Sequence, residues 1–261
     1  MDELQAFRAE NAKLRAELEE TKATSQRYLQ NVAHQLTAPL GAIKWSIEAL
    51  KDERVTIPRK MTLLSSIYSQ ATILVHLIKN FALMSNLEAD HELGQFREQP
   101  EPADVVRLAI NLASDFQPQA YDAGIGIEVD ETSFRRVFGT RKLKIEKNLV
   151  ALATSNVIEN AVKYADKKTT IRIAAVTGKG CVGLGVESIG IPIGDEDREH
   201  IFSRGFRGNA ARQKVAAGTG IGLYLASRVM AFHGGKLRLE TSGRRSRFEL
   251  LFPQSSLVAQ K

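Results

Sequence analysis

The sequence predicts an α+β protein in two parts, an N-terminal coiled coil with a helical hairpin, then an α/β sandwich. Three observations carry that prediction. Residues 1–28 keep a seven-residue repeat, and two amphipathic helical stripes follow it. From about residue 95, short strands are grouped with helices rather than strictly alternating with them. At 261 residues the chain has room for two domains and one substantial core. The net charge of +6 is spread along it, and no basic run is interleaved with aromatics, which argues against nucleic-acid binding. A single cysteine, Cys181, excludes an internal disulfide and suits a reducing compartment. No uninterrupted apolar run reaches the roughly 18 to 20 residues of a membrane span, and no signal-peptide pattern opens the chain. The expectation is a cytoplasmic segment without membrane contact, compatible with the soluble part of a membrane-bound receptor.

In one heptad frame, Leu4, Asn11, Leu18, Ser25 and Val32 take the first core position, and Phe7, Leu14, Thr21, Tyr28 and Gln35 the second. Asn11 at a core position favours a parallel two-stranded register. The seam runs into a helix over residues 29–50 with apolar Leu29, Val32, Leu36, Leu40, Ile43, Ile47 and Leu50 at steps of three and four. His34 falls roughly 160° from Leu36 and so points away from that stripe. Pro39 should bend the helix just past it. Taken alone, this stretch suits a surface histidine on a bundle helix equally well. KDERVTIPRK (51–60) breaks the pattern, and a second stripe follows at Leu64, Ile67, Ala71, Leu74, Ile78 and Phe81. Residues 29–94 therefore read as an antiparallel hairpin, and two hairpins across a homodimer make a four-helix bundle. His76, on the second helix, reads as a packing or rim residue.

Residues 95–261 read as the second domain. QFREQPEP suits a short edge strand or linker. A helix at about 103–121, a strand at 125–130 and a longer helix at about 144–165 follow. Strands come next at about 169–176 and 181–187, joined by a turn at Thr177–Gly180. After a loop-rich region come a helix at about 220–233 and a hairpin, KLRLE and RFELLF, turned at Ser242-Gly243. The expectation is one mixed sheet covered on one face by helices.

Three constellations here point to a nucleotide. In the first, Asn156, Asn160 and Lys163 stand at i, i+4 and i+7, which places two amides and an ammonium on one helix face. Amide oxygens and water suit Mg²⁺, and an ammonium suits phosphate. The same spacing also describes the polar face of a surface helix. In the second, Gly218-Thr219-Gly220-Ile221-Gly222-Leu223 opens an apolar helix, where glycines let backbone N–H groups approach phosphate. The third, Glu187 to Ile193, ends a strand. Between them, Ser203 to Lys214 is basic and poor in apolar residues, as a lid over a polyphosphate would need.

In this order and spacing the residues resemble the sensor histidine kinases of two-component signalling, from His34 to Pro253. The stretch around His34 is similar to the phosphoacceptor box, with His34, Gln35 and Thr37 as catalytic candidates. Asn156 to Tyr164 resembles the asparagine box, Ser188 to Ile193 the first glycine box, Ile201 to Phe206 the phenylalanine box and Gly218 to Leu223 the second glycine box. His233-Gly234-Gly235 matches a common ending of the last helix. The resemblance implies an ATP-binding domain of the histidine kinase, gyrase and chaperone ATPase type, with ATP and Mg²⁺ as cofactors and Asn160 holding the metal. Candidate ATP-binding residues are Asn156, Asn160, Lys163, Tyr164, Ser188, Gly190, Ile193, Phe202, Arg204, Phe206, Arg207, and Gly218 through Leu223. It further implies phosphorylation of His34, then transfer to an aspartate of a response regulator. Asn160, Lys163, Arg204 and Arg207 are the groups expected to neutralise developing charge.

Four positions depart from that pattern. Gln35 stands where the family has an acid that takes the imidazole proton, help typically worth about 10² to 10⁴-fold. It is expected to hold the ring without accepting the proton, so phosphorylation should be slow. Ala38 stands where Thr or Asn positions water for dephosphorylating the regulator, so phosphatase activity should be weak. Ser188 replaces the aspartate that receives the adenine amino group, a loss of about 1.5 to 3 kcal/mol in part recovered by the hydroxyl. Pro192 replaces the box's second glycine. A competing reading is a nucleotide-sensing scaffold that binds a regulator without phosphotransfer. A serine-directed kinase of the anti-sigma type is a third, which leaves the His34 hairpin without a purpose.

Overall fold

The computed structural model describes residues 2–88, 99–215 and 218–259. The expected boundary at residue 94/95 lies outside these, as do the side chains of Leu4, Leu14, Leu18, Thr21, Ser25 and Tyr28 in the heptad seam.

One helix, α1 (Asp2–Leu50), carries the seam and His34 without interruption. It continues through Pro39, which is buried. After residues 51–56 the chain returns in α2 (Ile57–Glu88), with Pro58 in the first turn, where a missing N–H breaks no helical bond. The two helices pack as an antiparallel hairpin. The expected stripes are only partly covered. Leu40, Ile47, Leu64 and Ile78 are 59%, 45%, 51% and 56% exposed, while Pro39, Ser46, Leu63 and Ser69 are buried instead. The helices thus have an inner face within the chain and an apolar outer face that stays exposed among the described residues. Over Ile57–Leu87, α2 is long and apolar enough to cross a membrane by length and composition.

The remainder is built on a five-stranded mixed sheet in the order β2-β4-β5-β7-β6. The strands are β2 (Gly126–Asp130), β4 (Thr170–Gly178), β5 (Cys181–Ile189), β6 (Lys236–Ser242) and β7 (Arg245–Pro253). Only β2 and β4 run parallel. Register places Val182, Leu184 and Val186 beside Phe252, Leu250 and Phe248, all buried. That face packs against α3 (Val105–Asp122), α5 (Lys147–Tyr164) and α8 (Gly222–Phe232). The opposite face carries Arg247 on Glu187 (2.6 Å) and Arg238 on Glu249 (2.7 Å), opposite charges on neighbouring strands.

A second, three-stranded sheet is the main departure from the expected single sheet. It joins β1 (Glu101–Ala103), β3 (Lys142–Ile145) and β8 (Leu257–Val258). Strands of two to four residues carry too few alternating positions for a pattern to register. Pro102 sits in the edge strand β1, as a proline must. Three short helices lie where the spacing predicts none: α4 (Glu131–Phe138), and α6 (Asp195–His200) and α7 (Asn209–Lys214) within the loop-rich region.

Local chemistry sets the helix ends. Asp104 and Asp130 cap α3 and α4 by accepting from the N–H groups of Arg107 and Ser133, each at 3.0 Å. Glu146, buried, caps α5 through the N–H groups of Asn148 and Leu149. Its own N–H donates to Nε2 of His233 (3.0 Å), whose Nδ1 bonds the Val229 carbonyl (2.8 Å). This ties the end of α8 to the start of α5. Burial holds the His233 imidazole below its usual pKa of 6.5. On the hairpin side, His76 stacks on Phe116 with ring centroids 5.1 Å apart, and Leu83 and Met84 of α2 enter the core. His76 is therefore the packing residue expected.

Candidate active site

Because α5 lies between the sheet, α8, α3 and α2, most of it is buried, including Asn156 at 3% exposure. Its last two turns form one wall of a cleft. The end of β5 and the following loop form the second wall, and the glycine-rich loop before α8 forms the third. The chain can pass this tightly because of two glycines. A β-carbon on Gly190 would run into the Tyr164 carbonyl oxygen. Gly220, at φ 68°, would place one 2.6 Å from the backbone of Gly205 and Phe206.

The cleft has two unlike ends. One is apolar, walled by Ile193, Ile201 and Phe248, and holds the hydroxyls of Ser188 and Ser246 at 3.3 Å from each other. It suits a flat heterocycle with an edge to be read by hydrogen bonds. The other end gathers Asn156, Glu159, Asn160, Lys163, Gly218, Thr219, Gly220 and Gly222. Backbone N–H groups and an ammonium there suit a polyphosphate. Among the described residues no cluster of three His, Cys, Asp or Glu side chains offers a dedicated metal cage. Mg²⁺ commonly takes one or two protein oxygens and fills its octahedron with water and phosphate. The amide of Asn160 beside Glu159 fits that donor set.

The expected site residues divide into those that line the cleft and those that do not. Asn156, Asn160, Lys163, Tyr164, Ser188, Gly190, Ile193, Phe206, Arg207, Gly218, Thr219, Gly220, Gly222 and Leu223 line it. Lys163 is paired with Glu159 at 2.7 Å. Arg207 turns its guanidinium to the carbonyls of Gly218 (3.4 Å), Ala211 (3.3 Å) and Val215, so it braces the lid segment. Phe202 and Ile221 stand behind the lining. Phe202 packs edge-on against Phe248, and Ile221 is in the core. Arg204 is exposed and outside the lining. The lid itself is laid over the rim. Lys214 Nζ donates to the carbonyls of Tyr164 and Ala165, both at 2.8 Å, and lies 3.5 Å from Asp166.

The hairpin reaches this cleft through Gln35, Leu77 and Asn80. With its amide oriented to satisfy both atoms, Gln35 accepts from the N–H groups of Thr219 (3.1 Å) and Gly218 (3.2 Å). Its carboxamide is thus bound to the glycine-rich loop. This contact stands in place of the expected one to the imidazole. His34 is exposed, as expected, and Thr37 bonds back to the Ala33 carbonyl at 2.8 Å. Sequence reasoning missed Asn80, Leu77, Glu159, Ser246 and Phe248. The first two belong to α2, where Asn80 is 76 residues from Asn156 in sequence, and no local pattern announces such an approach.

A mixed sheet with helices on one face, a glycine loop opening α8 and paired asparagines on α5 define a nucleotide-binding domain. Residues 145–256 match the family of histidine kinase-, DNA gyrase B- and HSP90-like ATPases. Residues 24–90 match the His kinase A phospho-acceptor domain. The chain is the catalytic core of a histidine kinase. The sensor-like histidine kinase SenX3 of Mycolicibacterium smegmatis is 28% identical over 237 residues, covering 89% of this chain and 58% of that protein. The sensor histidine kinase RppB of Synechocystis is 29% identical over 230 residues, covering 87% and 49%. The chain thus spans about half the length of such relatives. The fold is that of the histidine kinase AdeS of Acinetobacter baumannii, with TM-score 0.52 at 17% identity over 85% of this chain and 98% of that one. It is also that of ShkA in complex with AMPPNP, with TM-score 0.54 at 18% identity over 90% and 47%.

Proposed function

We propose that this chain is an ATP-dependent protein histidine kinase that phosphorylates His34 and passes the phosphoryl group to an aspartate of a response regulator. The organisation proposed is a signalling helix (1–28), a dimerisation and phosphotransfer hairpin (29–94) and an ATP-binding domain (95–261). One observation carries the reading. The hairpin bearing an exposed His34 contributes Gln35, Leu77 and Asn80 to a cleft that otherwise has a nucleotide's two ends. In this reading Ser188 and Ser246 meet the base, and the glycine-loop N–H groups with Lys163 hold the phosphates. Asn160 would hold Mg²⁺, which would supply neutralisation of phosphate charge.

His34 precedes Gln35 and is turned about 100° from it on the helix. It therefore receives phosphate from its own cleft after the hairpin turns, or from the cleft of a partner. The exposed faces of Leu40, Trp45, Ile47, Leu64, Val75 and Ile78 favour a homodimer. The lone cysteine and the regulator partner suit the cytoplasm.

Incubation with γ-labelled ATP and Mg²⁺ tests the proposal. Label should enter the chain in an acid-labile, alkali-stable form, and His34→Gln should abolish it. Alkali-labile label, or label untouched by His34→Gln, would refute it. A chain that binds ATP and a regulator yet incorporates nothing would favour the scaffold reading.

A further inference from the structure

Asn80 of α2 and Asn156 of α5 exchange two hydrogen bonds through their carboxamides. Asn80 Nδ2 donates to Asn156 Oδ1 at 2.7 Å, and Asn156 Nδ2 donates to Asn80 Oδ1 at 2.9 Å. Both residues line the cleft. At 3% exposure, Asn156 has little access to water that might replace its partner. The same Oδ1 faces Gly222, the first residue of α8, where an added β-carbon would sit 3.1 Å from it. One buried carboxamide is thus held between a hairpin helix and the helix start that follows the glycine-rich loop.

We propose that Asn80 is a positioning residue of the nucleotide site. It fixes the carboxamide of Asn156, and through it the seat of the glycine-rich loop on α5, so the cleft reaches full affinity only with Asn80 of α2 in contact with α5. This rests on the ATP-binding reading above. The physical reason is that a buried amide stripped of both partners reorients until it finds others. The polar groups left to Asn156 are those of the cleft, Asn160 and the loop N–H groups, which the nucleotide needs. A nucleotide must then displace it. Linkage makes the Asn80 contact reciprocal, so bound nucleotide holds α2 on α5 and withdrawal of α2 loosens the nucleotide. Gln35 of α1, by contrast, must cede the Gly218 and Thr219 N–H groups to the phosphates.

Calorimetric titration of the full chain with a non-hydrolysable ATP analogue and Mg²⁺ tests this, with a melting curve for each variant. Asn80→Ala should raise Kd on the order of tenfold. Asn80→Asp keeps the acceptor and loses the donor, so it should raise Kd by less. The Asn80→Ala/Asn156→Ala double variant should bind as Asn156→Ala does alone, because the effect of Asn80 passes through that carboxamide. A merely structural role would lower the melting temperature of Asn80→Ala and leave Kd where it was. An unchanged Kd in Asn80→Ala, or effects that add in the double variant, overturns the proposal. Should Asn80→Ala not fold, Asn80→Asp decides, and parental affinity there overturns it equally. A parent chain that bound no analogue would instead overturn the ATP-binding reading.

Discussion

Gln35 does two things at once in this site. It stands beside His34 where a proton acceptor would help, and its carboxamide oxygen occupies two N–H groups of the glycine-rich loop. A carboxylate there would supply a base and would also compete harder for those N–H groups. Gln35→Glu should therefore raise kcat for autophosphorylation by about 10²-fold while raising KM for ATP severalfold. Steady-state kinetics that leave both constants unmoved would sink this account. Ser188 is the second residue whose chemistry is testable alone. Its hydroxyl meets Ser246 at 3.3 Å, and a hydroxyl can donate or accept, so the pair selects weakly between purine edges. Ser188→Asp should bind ATP about tenfold more tightly and reject GTP more strongly, as competition binding would measure.

Among the elements, α7 and α8 each depend on one side chain that crosses to α5. Lys214 lays the lid on the last carbonyls of α5, where a cation also meets the helix dipole, and Asp166 beside it is shared with Arg244. Hydrogen bonding from Arg244 holds the Asp166 carboxyl below the usual carboxylate range. Lys214→Ala should release a fluorescent ADP analogue several times faster in stopped flow, with the sheet unaffected. His233 fastens α8 to the cap of α5 as a neutral imidazole, because its Nε2 must accept the Glu146 N–H. Its pKa is depressed by burial, so the unfolded chain protonates first as pH falls. Stability is complete above about 6.5 and is lost as pH drops below it. Half-buried His76 acts in the same direction, burial again being the leading cause. Melting temperatures should fall from pH 7.5 to 5.5, and His233→Gln, whose amide oxygen can accept the same N–H, should make that fall shallower.

At the scale of the molecule, the open question is what covers the outer face of the hairpin. Among the described residues α2 packs chiefly on α1 and then on α3, α5 and α8, while Leu64 and Ile78 stay half exposed or more. A second copy of the hairpin would bury that face at roughly 25 cal/mol per Å². Leu64→Glu with Ile78→Glu should convert a dimer to monomers in sedimentation, with nucleotide binding kept because neither residue lines the cleft. If the parent already sediments as a monomer, the bundle proposed here does not form.

Long periodic segments were legible in the chain alone: both hairpin helices, α3, α5, α8 and the long strands follow from spacing, and the glycine loop and the Asn160 face follow from motif. These are local properties, set within a few turns of one element by repeat, glycine and charge. The tertiary structure decided what no local pattern contains. Only the docking of α2 on α5 pairs Asn80 with Asn156 and brings Gln35 to the glycine loop. Only strand register sets Ser246 against Ser188 and joins three short strands into a second sheet. Contacts between residues tens of positions apart depend on how apolar faces are shared among neighbours, and that sharing is a property of the packed whole.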